Sequence, residues 1–324
     1  MGVGATEPSG GPALHLLAAQ PAAGEGIDCA VDDLACGVPI DTEIRLRLDR
    51  ALLPASGVRQ AIRVYTGSRE NAAPMLTPSY DVLSRELVFR FQALLQPKAL
   101  YRVELVLPDG GPFGLRAFDD APLAPGDVPL EWSFFTAGPD VRRVPAAPLP
   151  EPSCAEVAAL LRPSCADGCC HGGAAPAMGL RLGDPSELDR TAIGRVARQT
   201  ELGARLGATY ENPTRFGTSM PIIDPGSPGT SYLIYKLLLK DENLEPCTQG
   251  CEPFGALPGA DTCVPLSAAE RERLGDWFVR GEPMPLGRGR TLDGECRNVA
   301  TERHLDCGSL RALSRFISAG ASCE

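Results

Sequence analysis

No stretch of this 324-residue chain approaches the roughly 20 consecutive apolar residues that span a bilayer as a helix. The longest apolar run near the start, Ala13 to Ala19, is too short even for a signal-peptide core. A transmembrane helix is therefore not expected, and any envelope association would be peripheral or through a lipid anchor. Basic clusters with interleaved aromatics are also missing, and the formal charge of -10 repels a polyanion, so nucleic acid is excluded as a partner. Histidine is scarce: of three, His15 lies near the start and His304 sits beside Asp306 and Cys307 with no third group to orient a nucleophile. Gly255 to Gly259 lack the lysine of a phosphate loop, and acidic residues such as Glu201 and Asp276 have no placeable partner. No enzyme activity is expected.

Cysteine, by contrast, is abundant. Twelve in one chain point to disulfides made outside a reducing cytoplasm, so the protein is expected in the periplasm, at the outer membrane or on the cell surface. The sequence is then either a mature form or begins downstream of an export signal. Thirty-one prolines and 35 glycines predict many turns and few long helices.

Residues 1–12 carry no periodicity and are expected to be a disordered lead-in. From 13 to 138 the pattern is alternation: Ile44, Leu46 and Leu48 point one way while Glu43, Arg45, Arg47 and Asp49 point the other. Ile62 with Val64, Leu87 with Phe89 and Phe91, Tyr101 with Val103 and Leu105, and Trp132 with Phe134 repeat it. Short strands between Pro, Gly, Asn and Asp clusters predict an all-β antiparallel sandwich. Leu95 to Tyr101, running into the next strand, has the form of a tyrosine corner, whose hydroxyl bonds back across the turn. With the strands on either side, this region resembles the bacterial Ig-like domains of surface and S-layer proteins. Cys29 and Cys36 flank a short acidic loop and are read as a local disulfide. The alternative of a metal clip there pairs soft thiolates with the hard oxygens of Asp32 and Asp33.

Prolines 139, 145, 148, 150 and 152 make residues 139–153 an extended linker. A mainly α, cysteine-rich domain follows over 154–288. Capping boxes Ser153/Glu156 and Ser267/Glu270 start two of its helices, the second carrying Leu274, Trp277 and Phe278. Ser186 to Gln199 and Ser231 to Leu239 also read as helical. Residues 289–324 form a cysteine-rich helical extension, with Leu310, Leu313, Phe316 and Ile317 on one helix face.

The concentrated chemical signal is Cys165-Ala166-Asp167-Gly168-Cys169-Cys170-His171-Gly172. Covalent haem attachment uses two thiols that add across the vinyl groups and a histidine directly after the second, placed to ligate iron. Cys170-His171 supplies the second half. The usual two-residue spacer would put the first thiol at Asp167, whereas Cys165 gives four intervening residues. Zinc at Cys165, Cys169, Cys170 and His171 is an alternative, although adjacent Cys170 and His171 crowd a tetrahedral site.

Downstream come Gly179-Leu180-Arg181-Leu182, Asp224-Pro225-Gly226 with Ser231-Tyr232-Leu233, and the Trp277-Phe278 helix ending at Gly281. In that order, behind Cys170-His171, they resemble the cytochrome c-like domains of myxobacterial and planctomycete envelope proteins. The resemblance implies one haem c, thioethers at Cys165 and Cys170 through a four-residue spacer known from multihaem cytochromes, proximal His171, and electron exchange with a redox partner protein. It also implies a distal Met from a Met-Pro pair. Where the family has that pair this chain has Val264-Pro265; Met220-Pro221 and Met284-Pro285 are the candidates, with Met220 favoured because it precedes the last helix. Gap-filling beside a proline turn is the alternative role for both. The other cysteines, Cys154, Cys169, Cys247, Cys251, Cys263, Cys296, Cys307 and Cys323, are disulfide candidates, and parity is even with or without haem. The rival reading is a haem-free structural or interaction module held by disulfides.

Overall fold

The computed structural model describes residues 11–30, 32–108, 114–144, 150–166, 170–174, 176–197, 220–240, 266–277, 279, 284, 288–290, 296–298 and 305–323. The chain divides into two compact units. The first is mainly Met1–Tyr80 with Ser84–Pro148, the second mainly Leu149–Glu252 with Asp261–Glu324.

The first unit consists of two antiparallel sheets. One orders β1 (Leu16–Gln20), β2 (Glu43–Leu48), β5 (Glu86–Arg90) and β4 (Ser79–Asp81) as β1-β2-β5-β4; the other orders β3 (Ile62–Thr66), β6 (Leu100–Leu105) and β7 (Glu131–Phe135) as β3-β6-β7. Register follows the apolar pattern: Ile44 lies opposite Phe89, Leu46 opposite Leu87, and Val103 opposite Trp132. Ile44, Leu46, Leu87, Phe89, Val64, Val103 and Phe134 are all fully buried or nearly so, and they form the core. The Tyr101 hydroxyl accepts the Gln96 backbone N–H at 2.9 Å, the backward bond that the sequence pattern predicts. Cys29 and Cys36 are joined in a disulfide, with Cα atoms 5.6 Å apart.

β2 and β5 depart from simple alternation. On β2, Glu43 and Arg47 are buried instead of facing water. β2 lies between β1 and β5 in its sheet, so its side chains are flanked by those of both neighbours. A charge so placed needs partners. Glu43 pairs with Arg45, with Arg90 Nε at 3.2 Å and with an Arg143 guanidinium nitrogen at 3.0 Å, while the Arg143 N–H binds Asp41 at 2.8 Å. Burial alone pushes the Glu43 carboxyl up, but Arg45, Arg143 and Arg90 outweigh it and hold the carboxyl below its ordinary value.

The second unit is helical. Its helices are α1 (Cys154–Cys165), α2 (Pro185–Thr191), α3 (Tyr232–Leu238), α4 (Ala268–Trp277) and α5 (Cys307–Ser318). Both arms of the Ser153/Glu156 capping box form, and Ser267 Oγ accepts the Glu270 N–H at 3.1 Å. α1 and α5 contact one another, burying Val157, Ala158 and Leu161 on α1 and Leu310, Leu313, Phe316 and Ile317 on α5. A Cys154–Cys323 disulfide ties the start of α1 to the segment after α5. β8 (Arg288–Arg290) and β9 (Cys296–Asn298) form an antiparallel ribbon in the C-terminal extension, where the sequence suggests only a helix.

α2 is shorter than the periodicity suggests. It stops at Thr191, Gly194 takes a positive φ of 65°, and the chain turns extended to bridge Ile193 to Ile223 and Val196 to Pro221. β-branched Thr191 and Ile193 weaken a helix here, and Gly194 permits the turn. Ile222 donates its N–H to Arg195 O at 2.6 Å and Ala197 to Met220 O at 3.0 Å, which locks the two segments together.

Candidate functional site

Cys165 closes α1, and the chain then folds back on it. The His171 N–H donates to the Cys165 carbonyl at 3.0 Å, Ala177 N–H to Cys170 O at 2.7 Å, and Leu182 N–H to His171 O at 3.2 Å. These bonds fix a loop that presents Cys165, Cys170 and His171 to one cavity of about 510 Å³. Its remaining walls come from the 177–182 loop, the bridged 195–197 and 222 segments, and Tyr232, Leu233 and Leu237 of α3. Each wall thus has a local cause: a capped helix, a hydrogen-bonded loop, a glycine turn with bridge pairing, and an apolar helix face.

Cys165 and Cys170 form no disulfide, while Cys29, Cys36, Cys154, Cys307 and Cys323 are all disulfide-bonded. Burial, reinforced by the neighbouring Cys170, pushes the Cys165 thiol up to about 12. Burial pushes His171 below its ordinary value; the Ala177 and Leu180 backbones oppose this in part, and Lys236 adds to it. The imidazole is therefore neutral near pH 7 and has a lone pair to offer. Its Nδ1 is buried and has no hydrogen-bond partner among the described residues.

The two methionine candidates separate. Met284 lines the cavity, with its N–H on the Lys236 carbonyl at 3.3 Å. Met220, favoured by sequence order, is buried but is not among the described residues that line the cavity; its carbonyl belongs to the bridge with Ala197. Met178, which sequence reasoning passed over, also lines the cavity and is 56% exposed, with a left-handed φ of 55°. Its position seven residues after His171 was the only signal available. Arg190, Arg195 and Lys236 line the cavity too and were likewise missed.

Cys169, Cys247, Cys251, Cys263, His304 and Val264 lie outside the described residues, as does the Cys296 side chain. Among the described residues no three His, Cys, Asp or Glu side chains converge on a metal position. Haem asks for less than that: one protein nitrogen, two thiols near the ring and an apolar cavity. Cys165, Cys170 and His171 supply these, so the residues present fit the group.

No family model matches the chain, and no curated protein does. Among solved structures it is similar to surface layer protein SbsC, domains 1-6, at 11% identity and a TM-score of 0.28, over 44% of this chain and 16% of that one. A structure of the N-terminal part of the bacterial S-layer protein SbsC matches at 12% identity and a TM-score of 0.27, over 44% of this chain and 28% of that one. The chain thus spans between about a sixth and somewhat over a quarter of the length of these structures, 16% and 28%.

Proposed function

We propose that the second unit is a cytochrome c-like domain that carries one covalently bound haem and exchanges electrons, with an Ig-like domain ahead of it. The observation that carries this reading is a contrast in cysteine chemistry. In a chain whose other characterised cysteines are bridged, Cys165 and Cys170 alone among them are thiols, and both face the cavity that also holds the neutral His171. Thiols kept apart from oxidation are what attachment requires. His171 would hold the iron on one side, and Met284 is the thioether placed to approach it from the cavity wall. The group itself supplies a one-electron couple, and the protein sets its potential through these ligands and the burial around it.

The disulfides support an extracytoplasmic compartment, because cytoplasmic thiols are kept reduced. No helix among the described residues is long and apolar enough to cross a membrane. A peripheral or lipid-anchored envelope protein fits both facts.

Expression with a haem-attachment system tests the reading. Covalent haem should survive a denaturing gel; Cys170→Ala should weaken attachment, and His171→Ala should abolish low-spin absorbance even where thioethers form. Met284→Ala should convert the spectrum to high-spin, and Met220→Ala should leave it unchanged. A colourless product with Cys165 and Cys170 in disulfides would decide instead for the haem-free module.

A further inference from the structure

Among the described residues, the charges that line the cavity are one-sided. Among its described lining residues are Arg190, Arg195 and Lys236, and there is neither Asp nor Glu. Acidic residues outnumber basic ones in the whole chain, 41 to 31, so this runs against the composition. Nearby Arg181, by comparison, is neutralised by Glu187 at 3.2 Å. Arg190 and Arg195 have no carboxylate partner among the described residues; the one contact between them is from Arg195 Nε to the Arg190 carbonyl at 3.0 Å. Both are exposed, whereas Cys165, Cys170, His171 and Leu233 are buried, so the two guanidinium groups mark the rim and the apolar wall lies within.

A cavity with a largely apolar inner wall, and at its rim two arginines with no carboxylate partner among the described residues, is complementary to a flat apolar body that ends in carboxylates. We infer that Arg190 and Arg195 are specificity-determining residues that hold the carboxylates of the bound tetrapyrrole at the cavity rim. This rests on the haem reading and deepens it. The arginines would fix which edge of the ring faces solvent, and so which edge points at Cys165 and Cys170.

The test uses the full-length protein made without attachment machinery, and iron-free mesoporphyrin, which has no vinyl groups to form thioethers and no iron to be ligated. Binding of the dicarboxylic acid and of its dimethyl ester is followed by porphyrin fluorescence. The acid should bind about fivefold more tightly than the ester, as two exposed ion pairs together give. Arg190→Gln with Arg195→Gln should erase the preference, and Arg190→Lys with Arg195→Lys should keep most of it. Since both side chains are exposed, the thermal midpoint should not move, and Arg190→Gln alone, which leaves the Arg195 bond intact, serves as the folding control. Equal binding of acid and ester, or a preference untouched by the double substitution, would overturn the assignment and leave the haem reading standing. Failure of both porphyrins to bind would overturn the assignment, and the haem reading would be decided separately by covalent haem on the denaturing gel.

Discussion

The two units use cysteine in opposite ways. In the first, Cys29 and Cys36 are seven residues apart and close one surface loop. In the second, Cys154 and Cys323 are 169 residues apart and join the first helix to the segment after the last, while Cys165 and Cys170 stay unbridged beside a cavity. The same residue type is thus a local clip, a global tie and a buried thiol, and what differs is sequence separation and burial. Charge divides the units in the same way. The first neutralises its buried charges internally, at Glu43 and in the Arg50–Asp119 pair at 2.7 Å, whereas the second leaves Arg190 and Arg195 at a rim.

The long disulfide gives the largest expected effect. Loop-closure entropy for so large a loop amounts to about 5 kcal/mol, against about 2 kcal/mol for the short one. Cys154→Ser with Cys323→Ser should therefore unfold or loosen the helical unit, and hydrogen exchange should show the sheets of the first unit still protected. Equal loss of protection in both units would mean that they do not fold separately.

Next is Glu43→Gln, which leaves Arg45, Arg90 and Arg143 around an uncharged group and should cost about 2–3 kcal/mol, read as a shift in the denaturation midpoint of the first unit. The pH dependence has a definite sign. Because the folded carboxyl lies below its ordinary 4.5, its stabilisation is complete above that value and disappears as pH falls through the lower folded value. The Gln variant should lose this acid sensitivity. Smaller again is Cys29→Ser with Cys36→Ser, at about 2 kcal/mol, with the sheets still formed by circular dichroism.

Legibility in the sequence follows the same divide between near and far. Strand alternation on β6 and β7, the tyrosine hydroxyl bond, the Ser153/Glu156 capping box and the Ser267 cap are set by residues within five positions of each other, and all could be read directly. So could the grouping of Cys165, Cys170 and His171, which one helix end and one loop bring together. Burial of Glu43 depends on partners as distant as Arg90 and Arg143, and the end of α2 on pairing with residues some 30 positions on; neither is written in a local period. Met220 and Met284 show the same divide: Met220 has its backbone in the 197–220 bridge, whereas Met284, 113 positions beyond His171, lines the cavity, and no local period places either.

The smallest effect on stability, and the sharpest on the contrast between bridged and unbridged cysteine, concerns Cys165. With its thiol pushed up to about 12 by burial and by Cys170, it is almost wholly protonated at pH 8, where an ordinary cysteine near 8.5 is roughly one quarter thiolate. The attacking species is the thiolate, so alkylation of folded, haem-free protein should be markedly slower at Cys165 than in the denatured chain. Mass spectrometry after timed quenching at pH 8 measures this without disturbing a disulfide. The ratio should narrow as pH rises towards the shifted value, since only the folded thiol is still gaining thiolate there. A Cys165 that alkylates at the denatured rate would place it in water and remove it from the cavity wall, and one that never reacts even after unfolding would be bridged. Either result would end the distinction between the two kinds of cysteine on which the haem reading is built.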